Sequence, residues 1–271
     1  MLVCRINPKT KRPEGALVKK RYTYAFHKFV HVQVSAKNER ALAALFERMT
    51  PEELNDVRSL DFRQMWYRVW LSNEASELFT RKLARFNASF TSVDGGARLL
   101  RIAGSVRAGG SLIWEPPGGQ KAPAESDISC AIRELAEEAN IEKPKYRVVP
   151  DVRRRTSFIH MGVKYVKVYY VAVASPWLAA DDNLERTFQA RDVQRAAECG
   201  EVRWFDIEQI RLIDKNKRLE SLVAPLFRVV KRYIQGKRVG AGASISVDLG
   251  RAKKADASSD SDSSASPPSP D

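Results

Sequence analysis

Apolar and polar positions alternate at the start of the chain, and Leu2-Val3-Cys4-Arg5-Ile6 predicts a strand. Asn7 to Gly15, rich in Pro, Lys and Gly, predicts a turn. Ala16-Leu17-Val18 and the aromatic and β-branched stretch Tyr22 to Val34 predict further strands. The period then changes. Thr50-Pro51-Glu52-Glu53 carries an N-cap, a proline at the first helical position and acids at the positive end of the dipole, so a helix begins there. Phe79, Leu83, Phe86 and Phe90 share one helical face, with Arg81, Lys82 and Arg85 off it. Residues 36–98 therefore read as a compact helical module that ends near Asp94-Gly95-Gly96. Strand character returns at Leu112-Ile113-Trp114, Lys164 to Ala174 and Val202 to Phe205, and a helix is expected from about Lys217 to Gln235. From Gly236 onward the chain lacks the apolar residues that repay ordering entropy, and residues 236–271 read as a disordered tail.

The segment from Pro116 to Ile141 breaks the ordinary rules of helix design. Ser126 or Asp127 can cap a helix whose stripe Ile128, Ile132, Leu135 and Ala139 docks on a core. Glu134, Glu137 and Glu138 crowd one arc away from that stripe, a repulsion that helix stability alone disfavours. A divalent cation relieves it, and an all-oxygen cluster suits Mg²⁺ or Mn²⁺. Arg133 can pair with Glu125 or another acid and fix the cluster, and Pro116-Pro117-Gly118-Gly119 offers bare backbone to an ion or a phosphate. A solvated acidic helix face is the competing reading. The glycine loop and the spaced Glu and Arg-Glu beside the acids weigh against it.

Composition adds one further pointer. Lys and Arg total 46 against 33 Asp and Glu, for a net charge of +13. The five cations and five acids beyond Gly236 cancel, so the surplus sits on the folded body and suggests a polyanionic partner. Three scattered cysteines exclude a disulfide framework and suit a reducing compartment. No stretch approaches the roughly 20 apolar residues of a membrane span, and Met1 to Pro8 does not read as a signal peptide. His27, His31 and His160 form no trusted ligand pattern, the first two because their region reads as a strand.

The run of Gly, five residues, Glu, seven residues, then Arg-Glu-Leu-Ala-Glu-Glu-Ala-Asn-Ile resembles the Nudix hydrolase signature. Gly119, Glu125, Arg133, Glu134, Leu135, Glu137, Glu138 and Ile141 match it. Asn140 stands where the family usually has Gly, and Asn is the next-best left-handed cap. The resemblance implies an α/β/α sandwich around a mixed sheet, here formed by residues 1–35 and 99–235 with 36–98 as a helical insertion. It is similar most broadly to the mRNA-decapping Nudix proteins of large cytoplasmic DNA viruses, of the African swine fever virus type. The motifs shared with these are Lys20-Arg21-Tyr22 through Ala25-Phe26, Leu60-Asp61-Phe62 with Met65-Trp66-Tyr67 and Trp70, and Trp114-Glu115.

That likeness implies a metal-dependent enzyme of the host cytoplasm that cuts the cap pyrophosphate of RNA. Cleavage of diphosphoinositol or dinucleoside polyphosphates is the alternative, and a non-catalytic RNA-binding protein on the same scaffold is another. The metal ligands it implies are Glu134, Glu137 and Glu138, with the Gly118 carbonyl as a further one. Glu134 is also assigned to catalysis. The general base falls on Glu198, six residues before Trp204, with Glu201 in reserve. Methylated guanine is held between aromatic faces, which points to Tyr24 and Tyr169. The acid that relatives carry near the second of these falls at Gly162 here. The basic residues of the insertion, Arg63, Arg68, Arg81, Lys82 and Arg85, together with Arg153, Arg154 and Arg155, are the expected contacts to the RNA body. Capped RNA is the expected partner, with inositol polyphosphates as the rival anion and no membrane. The sequence leaves the oligomeric state open.

Overall fold

The computed structural model describes residues 1–71, 76–160, 163–184, 199–236 and 244–248. Its centre is a seven-stranded mixed sheet built from β1 (Leu2–Ile6), β2 (Pro13–Lys20), β3 (Trp114–Glu115), β4 (Tyr146–His160), β5 (Val163–Ala174), β6 (Cys199–Phe205) and β7 (Ser244–Asp248). The strand order is β3-β2-β1-β5-β4-β7, with β6 on the other edge of β2. β1 runs parallel to β5 and antiparallel to β2. Leu2, Val3, Cys4, Ala16, Leu17 and Val18 are all buried. Strands covered on both faces read as continuous apolar runs, as these do.

One face is covered by α7 (Asp127–Ala139) and α8 (Pro176–Ala180), which pack Ala131, Leu135, Ala139 and Leu178 against Val3, Ala16 and Ala172. The other face is covered by α9 (Ile207–Ile213) and α10 (Arg218–Ile234), whose Ile210, Val223, Leu226 and Phe227 meet Leu2, Leu17 and Val171. The expected α/β/α sandwich is therefore present. Helix α7 ends as expected too, with Asn140 in the left-handed conformation at φ 51°.

The helical layer comprises α1 (Tyr24–Val30), α2 (Glu39–Phe46), α3 (Pro51–Ser59), α4 (Phe62–Trp70), α5 (Glu77–Phe86), a π turn (Asn87–Thr91) and α6 (Ala97–Ser105). Thr50 caps α3 with a reciprocal Glu53 capping box. Phe79, Phe86 and Phe90 point into a separate aromatic core with Phe26, Phe29, Phe46, Phe62 and Trp66. Each such ring is worth roughly 1.5–3 kcal/mol of burial.

Three expectations change here. Within Tyr22 to Val34 the chain forms a helix, Tyr24–Val30, and no strand: the Thr23 hydroxyl accepts the Phe26 N–H, and Ala25, Phe26, Phe29 and Val30 fall on one buried face. His27 and His31 are thus one helical turn apart with ring centroids 4.3 Å from each other, and among the described residues no three His, Cys, Asp or Glu side chains are grouped to hold a metal. The apolar core of the layer also takes in Ala25 to Val32 and Leu99, Ile102 and Ala103, so it extends beyond residues 36–98 on both sides. The glycines at 95 and 96 do not end it; Gly96, at φ 91°, precedes α6. Within the stretch read as tail, Ser244–Asp248 pairs in parallel with β4. Its alternating Ser-Ile-Ser-Val pattern has the period of a strand. The remainder of that stretch, beyond Gly236, lies outside the described residues.

A buried carboxylate ties the layer together. Glu53, 1% exposed, accepts the Thr23 N–H at 2.6 Å, the Thr23 hydroxyl at 2.7 Å and the Thr50 N–H at 2.9 Å. Glu53→Ala leaves these donors without their acceptor, and urea unfolding should show a loss of about 3 kcal/mol. A loss below about 1 kcal/mol would mean that the clamp is not what joins α1 to α3.

Candidate active site

A cleft of about 520 Å³ opens where the loop after β3 meets α7 and the first half of β5. Glu115, Pro116 to Gly119 and Glu134 line one side, and Tyr165 to Tyr169 line the other. Of the cluster Glu134, Glu137 and Glu138, only Glu134 lines the cleft, on a helix that Ser126 caps and whose apolar stripe fixes the rotation.

Arg133 is the hub of these acids. Its Nε donates to Glu125 at 3.0 Å, and its Nη1 donates to Glu134 at 2.7 Å and to Glu137 at 2.8 Å. The bond from Glu125 is the main cause that raises the Arg133 pKa, and the same pair lowers that of Glu125. Glu125 also accepts the Ala122 N–H at 3.0 Å, which anchors the pair to the loop. Glu134, 7% exposed, is pushed the other way: burial raises its pKa against the pull of Arg133.

Glu138 has different partners. It accepts the Gly118 N–H at 2.8 Å and is ion-paired with Lys20 Nζ of β2. Burial works to lower the Lys20 pKa, but Glu138, Cys199 and Glu115 outweigh it and the net shift is upward. The Met1 α-amino group donates to the Pro117 carbonyl at 2.5 Å and pins the same loop.

Gly119 is required by contact. A Cβ there would lie 2.4–2.5 Å from the Glu134 carboxylate, so the carboxylate occupies space that only glycine leaves. Gly118 has no such contact, with only the Pro116 carbonyl at 3.9 Å. What Gly118 contributes in this structure is its N–H.

The acids are thus held close on one helix but not converged on one point. Glu134 and Glu137 are drawn to Arg133 and Glu138 to Lys20, which explains why no group of three closes on one point among the described residues. The donor set, all carboxylate and backbone oxygen at the wall of a cleft, fits a hard divalent ion.

Other expected residues divide. Tyr169 lines the cleft, and burial first, then Glu115, pushes its pKa up to about 12. Tyr24, exposed at the start of α1, donates to Glu115 at 3.2 Å. Glu115 thus bonds to Tyr24 and lines the cleft together with Tyr169. The sequence marks Glu115 only as part of the shared Trp114-Glu115 motif and gives it no role in the site. Gly162 and Glu198 lie outside the described residues. Glu201 is engaged by Lys19 at 3.3 Å and by Arg203.

The basic residues do not act as one set. Arg153 and Arg155 are exposed, but Arg154 is buried at 3% exposure and donates to the Leu222 carbonyl at 3.3 Å. Strand alternation sends the middle of three successive arginines under α10, so it is removed from the RNA contacts. Lys82 is half-buried and donates to the His31 carbonyl at 2.8 Å, so it too is not the solvated cation expected; Arg81 and Arg85 are. Arg68 is paired with the buried Asp56, and Arg63 lies over the Phe79 ring at 5.5 Å.

Residues 90–226 match the NUDIX domain family. Over 240 residues the chain is 32% identical to the mRNA-decapping protein g5R of African swine fever virus (isolate Warthog/Namibia/Wart80/1980), covering 88% of this chain and 96% of that protein. It is 24% identical over 108 residues to the asymmetrical bis(5'-nucleosyl)-tetraphosphatase of Mus musculus, covering 40% of this chain and 65% of that enzyme. A crystal structure of the C. elegans Ap4A hydrolase aligns at a TM-score of 0.32 with 24% identity, over 43% of this chain and 76% of that one, too distant to carry an argument.

Gly119→Ala tests the packing of Glu134. The clash is with the end of a flexible side chain, so stability should fall by only about 1 kcal/mol. Mn²⁺ affinity measured by calorimetry should fall about tenfold or more, which is about 1.4 kcal/mol. Unchanged Mn²⁺ affinity would show that the position of Glu134 does not matter to the ion.

Proposed function

Because this chain belongs to the Nudix hydrolase family, we propose that it is an mRNA-decapping pyrophosphohydrolase that releases m7GDP and 5'-monophosphate RNA. The observation that carries this reading is the 32% identity to a viral decapping protein across 88% of this chain and 96% of that one. That span includes the helical layer as well as the acidic helix. The likeness to the tetraphosphatase covers only 40% of the chain, so dinucleoside polyphosphates are the lesser alternative. Diphosphoinositol polyphosphates share the pyrophosphate chemistry and remain a comparison substrate. A non-catalytic RNA-binding role fits poorly with the complete set of mutually repelling acids on α7.

Nudix hydrolases generally need divalent metal ions. We assign the ligands to Glu134, Glu137 and Glu138 with the Gly118 carbonyl, and the ion to Mg²⁺ or Mn²⁺. Such an ion supplies Lewis acidity that neutralises a pyrophosphate and lowers the pKa of the nucleophilic water. The chain's residues do the rest. Arg133 and Glu125 hold Glu134 at the wall of the cleft. Glu198 takes the proton from the attacking water. The engagement of Glu201 by Lys19 and Arg203 favours Glu198 for this role. The water oxygen bonds to phosphorus as the bridging P–O bond breaks. Tyr24 and Tyr169 hold the methylated base, with Glu115 bonded to Tyr24 and lining the cleft with Tyr169. The contacts of Glu115 with Tyr24 and Lys20 both use Oε1, which leaves Oε2 for the N–H groups of a guanine edge. Action in the host cytoplasm, where capped messages reside, follows from this substrate. Among the described residues no helix is long and apolar enough to cross a membrane.

Cap-labelled RNA with Mg²⁺ or Mn²⁺ should yield labelled m7GDP. Glu137→Gln and Glu138→Gln should each abolish turnover with the fold intact, since Gln keeps helix propensity and removes the charge. Release of another product, or turnover within a few-fold of the parent for both variants, would overturn the activity or the metal assignment respectively.

For the RNA body we keep Arg81, Arg85, Arg153 and Arg155, which are exposed. The double variant Arg81→Ala/Arg85→Ala should flatten the log–log salt slope of capped-RNA binding by about 1.4 units, at roughly 0.7 per single-strand phosphate contact. Hydrolysis of free cap dinucleotide should be spared. An unchanged slope would move the RNA track to Arg153 and Arg155.

A further inference from the structure

Lys20 is buried among carboxylates, with Glu138 and Glu115 both within ion-pair reach of its Nζ. Its side chain is 12% exposed and that of Glu138 is 4% exposed, so the pair is shielded from solvent. Glu138 is tied on its other oxygen to the Gly118 N–H, and Glu115 Oε1 lies 3.6 Å from Lys20 Nζ. A carboxylate so buried needs a counter-charge, and the fold supplies one from β2, 118 residues away in sequence. Arg133 serves Glu125, Glu134 and Glu137 and has no bond to Glu138 among the described contacts. Lys20 thus provides for Glu138 the positive charge that Arg133 provides for the other acids.

We propose that Lys20 is the built-in counter-ion of Glu138 and competes with a divalent ion for it. This rests on the metal assignment made above. In the metal-free protein the ammonium stabilises the buried carboxylate. When an ion binds, Lys20 gives up Glu138 and keeps Glu115, already 3.6 Å away, and the Cys199 sulfur at 4.0 Å. The exchange has two consequences. The protein folds without metal despite its crowded acids, and it binds metal more weakly than the acids alone would, because every ion bound must break the Lys20–Glu138 pair. Lys20 is therefore a positioning residue, acting through Glu138. A purely structural ion pair, by contrast, would persist beneath the bound ion and hold Glu138 in place for it.

The test uses the full chain, Mn²⁺ alone as the probe, and calorimetry beside thermal unfolding in EDTA. Lys20→Met should lower the unfolding temperature in EDTA, because one partner of a buried pair is removed. Added Mn²⁺ should raise it by more than in the parent. Mn²⁺ affinity should tighten about five-fold, the lower end of coupling between competing sites. Should Lys20→Met fold poorly, Lys20→Met/Glu138→Gln removes both charges; it should recover the EDTA stability and bind Mn²⁺ as Glu138→Gln alone does. Weaker Mn²⁺ binding in Lys20→Met, or binding by the double variant that differs from Glu138→Gln, would overturn the competition. If Glu138→Gln itself leaves Mn²⁺ binding untouched, the metal assignment fails instead, and the two failures are told apart by that one variant.

Discussion

Mutual repulsion among Glu134, Glu137 and Glu138 is the constraint that organises the site, and the fold meets it with cations drawn from two places. Arg133 lies within the same helix and reaches three acids, Glu125, Glu134 and Glu137. Lys20 comes across from β2 and reaches the fourth, Glu138. The loop after β3 completes the arrangement, because the Gly118 N–H serves Glu138 and the missing side chain of Gly119 makes room for Glu134. The sandwich exists, in this view, to bring a helix, a strand and a glycine loop to one cleft wall.

The same elements link that wall to the helical layer. Lys20 is the last residue of β2, and Tyr24 opens α1 only four residues later. Both reach Glu115 from different directions. Thr23, between them, is clamped by Glu53 of α3. A short segment therefore connects Glu138, through Lys20, to the exposed Tyr24 and to the aromatic core of the layer.

What was legible in the sequence was local. Ser126 and Asn140 mark the ends of α7, the Thr50–Glu53 box marks the start of α3, and the pairing of Arg133 with Glu125 is set by the helix and the loop beside it. What was illegible depended on distant contact or on period. The stretch from Tyr22 to Val34 is rich in strand-forming residues, but Thr23 caps it and the aromatic core claims Phe26 and Phe29, so tertiary packing overrides propensity. Arg153-Arg154-Arg155 looked like one patch until β4 supplied its two-residue alternation and buried the middle one. Lys20 and Glu115 stand in motifs the sequence shows, but their ion pairs were illegible, since their partners lie far along the chain and nothing in their immediate neighbours announces them.

The central claim is that the acids of α7, held apart by Arg133 and Lys20, are gathered by a divalent ion at the cleft wall. Anomalous diffraction from crystals grown with Mn²⁺ tests it most directly. The account predicts a peak within bonding distance of Glu134 and Glu138, with Lys20 withdrawn from Glu138. A peak elsewhere, or none, with the Arg133 and Lys20 pairs unchanged, would contradict it.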